Sequence, residues 1–401
     1  MSELVITRIH RNNVVENNYE NCTIETIEKS ICYNDFFEKF MMKNLPCIIK
    51  EVSVNWECAK KWVNNDTIDY NYISDAYGDF EAPVANCKNV AYNAHCKNNM
   101  KVSEYMAYLK IKSDQLLYLK DWHLRRLKPL DSFYEVPMLF ASDWLNEFCE
   151  DQHEDDFMFV YIGPKCSWTP LHADVYCSYS WSVNVVGRKK WILFPPGEEK
   201  KLKDKLGNLP MLFDSEIHKG IKYFEITQEK GDAIFIPSGW FHQVLNIFDT
   251  ISINHNWING CNIKKVWETL ETQLISVENE IAEFRTSEDF TLQCQLILKS
   301  VFGMDFKMFI AFICHIGKKR LLQIESKQSR VFGKYILGIN HIKFDLNNVI
   351  CVMDLIANHS LFIDSNVIPL QMQKDFFALK ELLVKNNISN NQDQDISTPN
   401  S

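Results

Sequence analysis

The sequence predicts a mixed α and β protein: an all-β sandwich or barrel core, flanked by helices before it and by a helical domain after it. Three observations carry this. Short apolar runs alternate with a period of two between about residues 116 and 258, the flanking stretches show helical apolar spacing, and turn residues punctuate the runs. At 401 residues, with 46% hydrophobic and 24% charged side chains, the chain can bury a large core, and roughly two or three structural units are expected.

In chain order, residues 1–30 read as an N-terminal extension. Residues 31–110 form a mixed, mainly helical support. Cys32 to Met42 has helical spacing, the apolar run Cys47 to Ile49 follows, and a Trp-containing segment again looks helical. The β core spans 116–258, with strands expected at LLYL (116–119), FMFVYIG (157–163), WSVNVV (181–186), KWILF (190–194), AIFI (233–236) and TISINHNWI (250–258). Gly163-Pro164, Pro195-Pro196-Gly197, Gly231-Asp232 and Pro237-Ser238-Gly239 separate them. Support and core together make one unit, 31–258.

After Asn259-Gly260 the pattern turns helical again and defines a C-terminal domain over 259–385. Helices are expected at Ile263 to Arg285, Phe290 to Phe302, Asp305 to Leu321, Leu346 to Ala357 and Gln373 to Lys385. Beyond Asn386 almost no apolar residue remains to offset ordering entropy, so 386–401 reads as a disordered tail. These helices also offer a surface through which two copies could pair as a homodimer.

Charge and cysteine usage narrow the function. A net charge of −9 argues against direct nucleic-acid binding, which needs a basic stripe, and suits a basic protein partner. The 13 cysteines are odd in number and lie singly from Cys22 to Cys351, with no CxxC pair. Reduced thiols and a cytoplasmic address are therefore expected, and nothing argues against a nuclear one. No run approaches the roughly 18 apolar residues of a membrane span.

The strongest chemical signal is Thr169-Pro170-Leu171-His172-Ala173-Asp174. In extended backbone, residues two apart face the same side, so His172 and Asp174 can present an imidazole nitrogen and a carboxylate oxygen to one point. His242, in Gly239-Trp240-Phe241-His242, follows a strand and a tight turn and supplies a third donor. Two histidines and one carboxylate suit non-haem iron(II), because they leave positions free for a bidentate cosubstrate and dioxygen. An HxD alone is weak, since a solitary strand histidine is more often structural.

Two further segments strengthen it. In SVNVVGRKKWILFPP, Lys189 lies between apolar strands, where an ammonium is costly unless it meets a carboxylate. The alternative is that Arg188, Lys189 and Lys190 form an ordinary solvated hairpin turn. In GDAIFIPSGWFHQV, Gly239 permits a sharp bend, and the aromatic pair beside it could wall the site or simply be core. Asp232, Asp249 and His255 read as structural.

With TPLHAD, SYSWSVNVVGRKKWILFPPG and GDAIFIPSGWFHQVLNI in this order, residues 30 to 258 resemble the JmjC oxygenases. The resemblance implies a double-stranded β-helix of the jelly-roll, cupin-like type, with iron(II) on His172, Asp174 and His242. It further implies that Lys189 pairs with the C5 carboxylate of 2-oxoglutarate, that Thr169 hydrogen-bonds it, that Tyr118 supplies a phenol, and that Asn256 fills a polar position. Thr250, Ser252, Asn254 and Asn256 do alternate with apolar neighbours, which independently gives that strand one polar face. One departure stands out: relatives often carry an asparagine a few residues after HxD, whereas here the stretch is VYCSYSWS, with Ser178 or Ser182 as substitutes.

The activity so implied consumes 2-oxoglutarate and dioxygen and yields succinate and carbon dioxide. Within the family the resemblance is nearest to a lysyl hydroxylase, which implies a lysine C–H of the eukaryotic peptide-chain release factor as substrate. An acidic enzyme and a lysine-bearing loop are electrostatically matched. Two alternatives compete. Histone lysine demethylation uses the same iron chemistry, although no Cys/His-rich zinc module accompanies the core. A non-catalytic cupin-like binding module would use the barrel and its helices only to dock a partner.

Overall fold

The computed structural model describes residues 2–10, 19, 21–91, 94–111, 113–205, 207–326, 330–332 and 334–392. Two strands lie inside the stretch read as an extension, β1 (Ser2–Leu4) and β2 (Glu25–Glu28). The support region follows with α1 (Tyr33–Phe36), β3 (Cys47–Lys50), α2 (Glu57–Lys61), the small hairpin β4 (Val63–Asn64) and β5 (Thr67–Ile68), and α3 (Tyr70–Tyr77). Asp69 caps α3 by accepting the Tyr72 amide at 2.9 Å.

Next come a long hairpin, β6 (Glu81–Ala91) with β7 (Ala94–Lys101), and α4 (Val102–Lys110). The hairpin corrects the expectation of mainly helical support. β7 is the edge strand of its sheet and is largely exposed at Lys97, Asn98 and Asn99, so it carries no apolar alternation to betray it.

The core strands are β8 (Leu117–Trp122), β9 (Met158–Gly163), β10 (Trp168–His172), β11 (Tyr179–Val186), β12 (Lys189–Phe194), β13 (Phe224–Gln228), β14 (Ala233–Ile236), β15 (Phe241–Asn246) and β16 (Thr250–Trp257). Helices α5 (Leu124–Leu127) and α6 (Trp144–Gln152) separate β8 from β9.

They form a nine-stranded sheet ordered β2-β3-β14-β11-β16-β9-β8-β6-β7 and a four-stranded sheet ordered β10-β15-β12-β13. From β9 to β16 the chain passes between the two sheets at almost every step, with only the β12–β13 hairpin staying in one. This is a cupin-like double-stranded β-helix. Ile48, Leu193, Ile234, Ile236 and Trp240 cluster together as one apolar filling of the barrel. The outer face of the large sheet is covered by aromatics; Phe140 stacks on Trp181 with centroids 5.3 Å apart.

The C-terminal part contains α7 (Ile263–Glu280), α8 (Phe290–Phe302), α9 (Phe306–Ser326), β17 (Arg330–Val331), β18 (Tyr335–Leu337), α10 (Ile339–Asn358) and α11 (Leu370–Gln392). α10 starts at Ile339 rather than Leu346, because buried His341 and Asp345 interrupt the apolar pattern of its first turns. α11 continues through Gln392, past the point where the tail was expected to begin; residues 393–401 lie outside the described residues.

Arg320 on α9 is fully buried and joins the two parts. Its Nη1 and Nη2 each donate to Glu147 of α6 at 2.9 Å, and its Nε donates to Asp345 of α10 at 2.6 Å. β1 pairs in parallel with β18, so a strand that precedes the barrel and one from the C-terminal part share one small sheet. Among the described residues no helix is long and apolar enough to cross a membrane.

Candidate active site

β10 and β15 are antiparallel neighbours, and their register sets His172 opposite His242, with ring centroids 4.3 Å apart. Asp174 follows β10 by two residues. One ligand atom from each of His172, Asp174 and His242 lies within 4.8 Å of the others. The residues around them fix which atoms face inward. His172 Nδ1 lies 2.8 Å from the Pro170 carbonyl and His242 Nδ1 lies 3.0 Å from the Trp240 carbonyl. A carbonyl only accepts, so each Nδ1 carries the proton and each Nε2 keeps its lone pair for a metal.

Ser180 donates to Asp174 Oδ2 at 2.6 Å, which leaves Oδ1 free. Two nitrogens and one oxygen converging in this way fit iron(II). Burial, and then the neighbouring His242, lower the His172 pKa to about 4, so its imidazole is neutral at physiological pH. The Trp191 ring, 5.6 Å from that of His242, walls the site on one side.

A cavity of about 490 Å³ opens beside the three side chains. Lys189, Thr169, Tyr118 and Asn256 all line it. Alternation along β12 resolves the hairpin question. Arg188 and Lys190 turn outward to Glu229 and Glu225 at 2.7 and 2.8 Å, while Lys189 between them is buried. Lys189 Nζ donates to Ser252 Oγ at 2.6 Å, and among the described residues it meets no carboxylate. Burial, reinforced by the charge of Lys120, lowers its pKa to about 7.

Tyr118 is buried on β8, and desolvation raises its phenol pKa. Asn256 donates to Ser178 Oγ at 3.2 Å. Three serines stand in the stretch where the asparagine was expected. Ser178 is occupied by Asn256, Ser180 holds the metal-binding carboxylate, and Ser182 lines the cavity with a buried hydroxyl that has no partner among the described residues.

The residues read as structural are so placed. Asp232 pairs with Lys50 at 2.6 Å, Asp249 accepts the Tyr70 hydroxyl at 3.0 Å, and His255 stacks on Trp181 while meeting the Tyr134 hydroxyl at 2.7 Å. The sequence reading missed Ser180, Tyr161 and Lys120, which also line the cavity. Lys120 had a legible signal: it stands two residues after Tyr118 in an apolar strand, hence on the same side.

Residues 33–262 match the cupin-like domain family. A Drosophila melanogaster protein, the 2-oxoglutarate and iron-dependent oxygenase JMJD4 homolog, is 40% identical over 85% of this chain and 89% of its own length. The Homo sapiens 2-oxoglutarate and iron-dependent oxygenase JMJD4 is 41% identical over 82% and 84%. The arginine-specific demethylase JMJ20 of Arabidopsis thaliana is more distant, at 34% over 81% and 77%. Given a donor set that converges from β10, the residue two beyond it and β15, and this similarity along most of its length, the chain belongs to the JMJD4 family of cupin-like, JmjC-type 2-oxoglutarate and iron-dependent oxygenases.

Proposed function

We propose that this oxygenase hydroxylates a lysine C–H of a protein substrate, and that the substrate is the eukaryotic peptide-chain release factor. The observation that carries the lysine reading is the wall of the cavity. Asp155, paired with Arg126, and Asp156, bonded to His123 at 2.7 Å, line it together with Phe157, Phe159 and Tyr161, an acidic and aromatic wall along which a long cationic side chain would lie. The release factor rests on the sequence resemblance, and the net charge of −9 favours a basic partner.

Iron(II) with 2-oxoglutarate, when bound, supplies dioxygen activation and oxidation of a substrate C–H, with succinate and carbon dioxide as coproducts. The chain supplies placement. His172 and His242 offer Nε2, Asp174 offers Oδ1 because Ser180 occupies Oδ2, and Trp191 excludes water from one side. Lys189 would hold the far carboxylate of 2-oxoglutarate, with Thr169 and Tyr118 beside it.

Incubating the iron-loaded protein with release factor, 2-oxoglutarate and air should add one oxygen atom to a substrate lysine, read by mass spectrometry of the digested product. Loss of a CH2 unit from a methylated residue would indicate demethylation instead, the reading suggested by the more distant Arabidopsis relative. His172→Ala should abolish succinate formation while preserving the circular-dichroism spectrum; undiminished turnover would refute the metal assignment. We also propose that two copies pair through the C-terminal helices, where Ile275, Leu296 and Val301 are exposed. Sedimentation that shows only monomer would rule this out.

A further inference from the structure

Lys120 is the second buried ammonium of the cavity. Its relative exposure is 7%, and the hydrogen bond made by its Nζ is to Thr169 Oγ1 at 3.2 Å. The adjacent Asp121 does not neutralise it across a contact. That carboxylate is held by Lys97 and by the Tyr161 hydroxyl, the latter at 2.6 Å, and among the described residues Lys120 meets no carboxylate within ion-pair distance. Lys120 Nζ lies 6.0 Å from the Tyr161 ring centroid and Lys189 Nζ lies 5.9 Å from the same centroid, so the two cations approach one side chain.

A lone structural lysine extends its head to water. Here two heads point instead into one cavity, where each charge is costly without an anion and each opposes the other. Burial accordingly lowers Lys120 to about 8. Thr169 is common to both roles: its hydroxyl faces the cavity and accepts from Lys120.

We propose that Lys120 is a second cationic anchor for the remote carboxylate of 2-oxoglutarate, gripping it opposite Lys189 and selecting for a cosubstrate that carries that carboxylate. The inference rests on reading the cavity as the cosubstrate site. It predicts discrimination between 2-oxoglutarate and 2-oxobutyrate, which shares the 2-oxo acid head and lacks the distal acid.

The test uses the full chain loaded with Zn(II), which holds the ligand set without turnover, and reads the binding of each acid by calorimetry in wild type, Lys120→Met, Lys120→Gln and Lys189→Met. Lys120→Met should weaken 2-oxoglutarate by about ten- to a hundredfold, the range for a lost hydrogen bond between charged groups. Binding of 2-oxobutyrate should not weaken. Lys120→Gln, which keeps a donor to Thr169 without the charge, should fall between wild type and Lys120→Met. The ligand-free melting temperature of Lys120→Met should be no lower than wild type, because the substitution removes an uncompensated buried charge.

Equal weakening of both acids, together with a lowered ligand-free melting temperature, would make Lys120 a structural prop and overturn the inference. Wild-type 2-oxoglutarate binding in both Lys120 variants, with loss in Lys189→Met, would also overturn it while leaving the cosubstrate site intact. If Lys189→Met too binds 2-oxoglutarate as wild type does, the reading of the cavity itself fails.

Discussion

The hydroxyl of Ser180 decides which oxygen of Asp174 can face a metal. Removing it frees the carboxylate to rotate without deleting a ligand, so Ser180→Ala should lower iron(II) affinity by about ten- to a hundredfold, measured by equilibrium dialysis. His255 gives a pH prediction. Burial, and then Arg125, hold its pKa well below the ordinary value, so it stays neutral between the Trp181 ring and the Tyr134 hydroxyl. Below about pH 6.5 the unfolded chain takes up a proton that the native state refuses, so stability falls with pH from there downward. Urea midpoints should begin to drop near about pH 6.5; a profile flat until the carboxylate range would contradict this. At this scale His172 and Asp174 were legible because a two-residue spacing in extended backbone is a local rule, and His242 because a tight turn precedes it. Ser180 was not, because its partner is set by a turn six positions back in the chain that no pattern encodes.

Among the elements, the segment between Asp174 and β11 holds unusual backbone. Tyr176 and Cys177 have φ of +57° and +54°, which side-chain-bearing residues seldom adopt. Ser238 secures the segment by donating to the Cys177 carbonyl at 2.5 Å, and the Tyr176 ring packs against Phe157 and Phe302. Just beyond α8, Gly303 has φ +91°, and a Cβ there would come within 2.9 Å of the Tyr176 ring. Gly303→Ala should therefore destabilise the protein by about 1–2 kcal/mol, read by chemical denaturation, through both its own backbone and the displaced ring. β14 was legible because burial stamps an apolar run on it, and β11 and β16 because apolar residues alternate with polar ones along them. β13, β15 and the β6–β7 hairpin lack such a run; Phe224 to Gln228 alternates half-buried with exposed residues, and β7 borders solvent.

For the whole molecule, the union of barrel and C-terminal helices depends on a charge with no route to water. Arg320→Met would leave the buried carboxylates of Glu147 and Asp345 only Lys319, and His341 with the Trp144 indole, respectively, at a cost of about 3 kcal/mol. A loss below about 1 kcal/mol in urea unfolding would mean that solvent reaches this junction after all. Nothing in the sequence announced it. An arginine on an amphipathic helix reads as an outward-facing residue, and only the packing of α6, α9 and α10 turns it inward.

The parallel pairing of β1 with β18 bears on the order in which the protein is made. Ser2 to Leu4 leave the ribosome before the barrel, yet their partners, Tyr335 to Leu337, emerge only after all of it. Leu4 and Ile6, both shut away from solvent in the finished fold, must wait as an unmatched apolar segment on the nascent chain. The late-synthesised β18 thus acts as a clasp on β1, and a release from the ribosome before that clasp closes would leave a sticky unpaired strand.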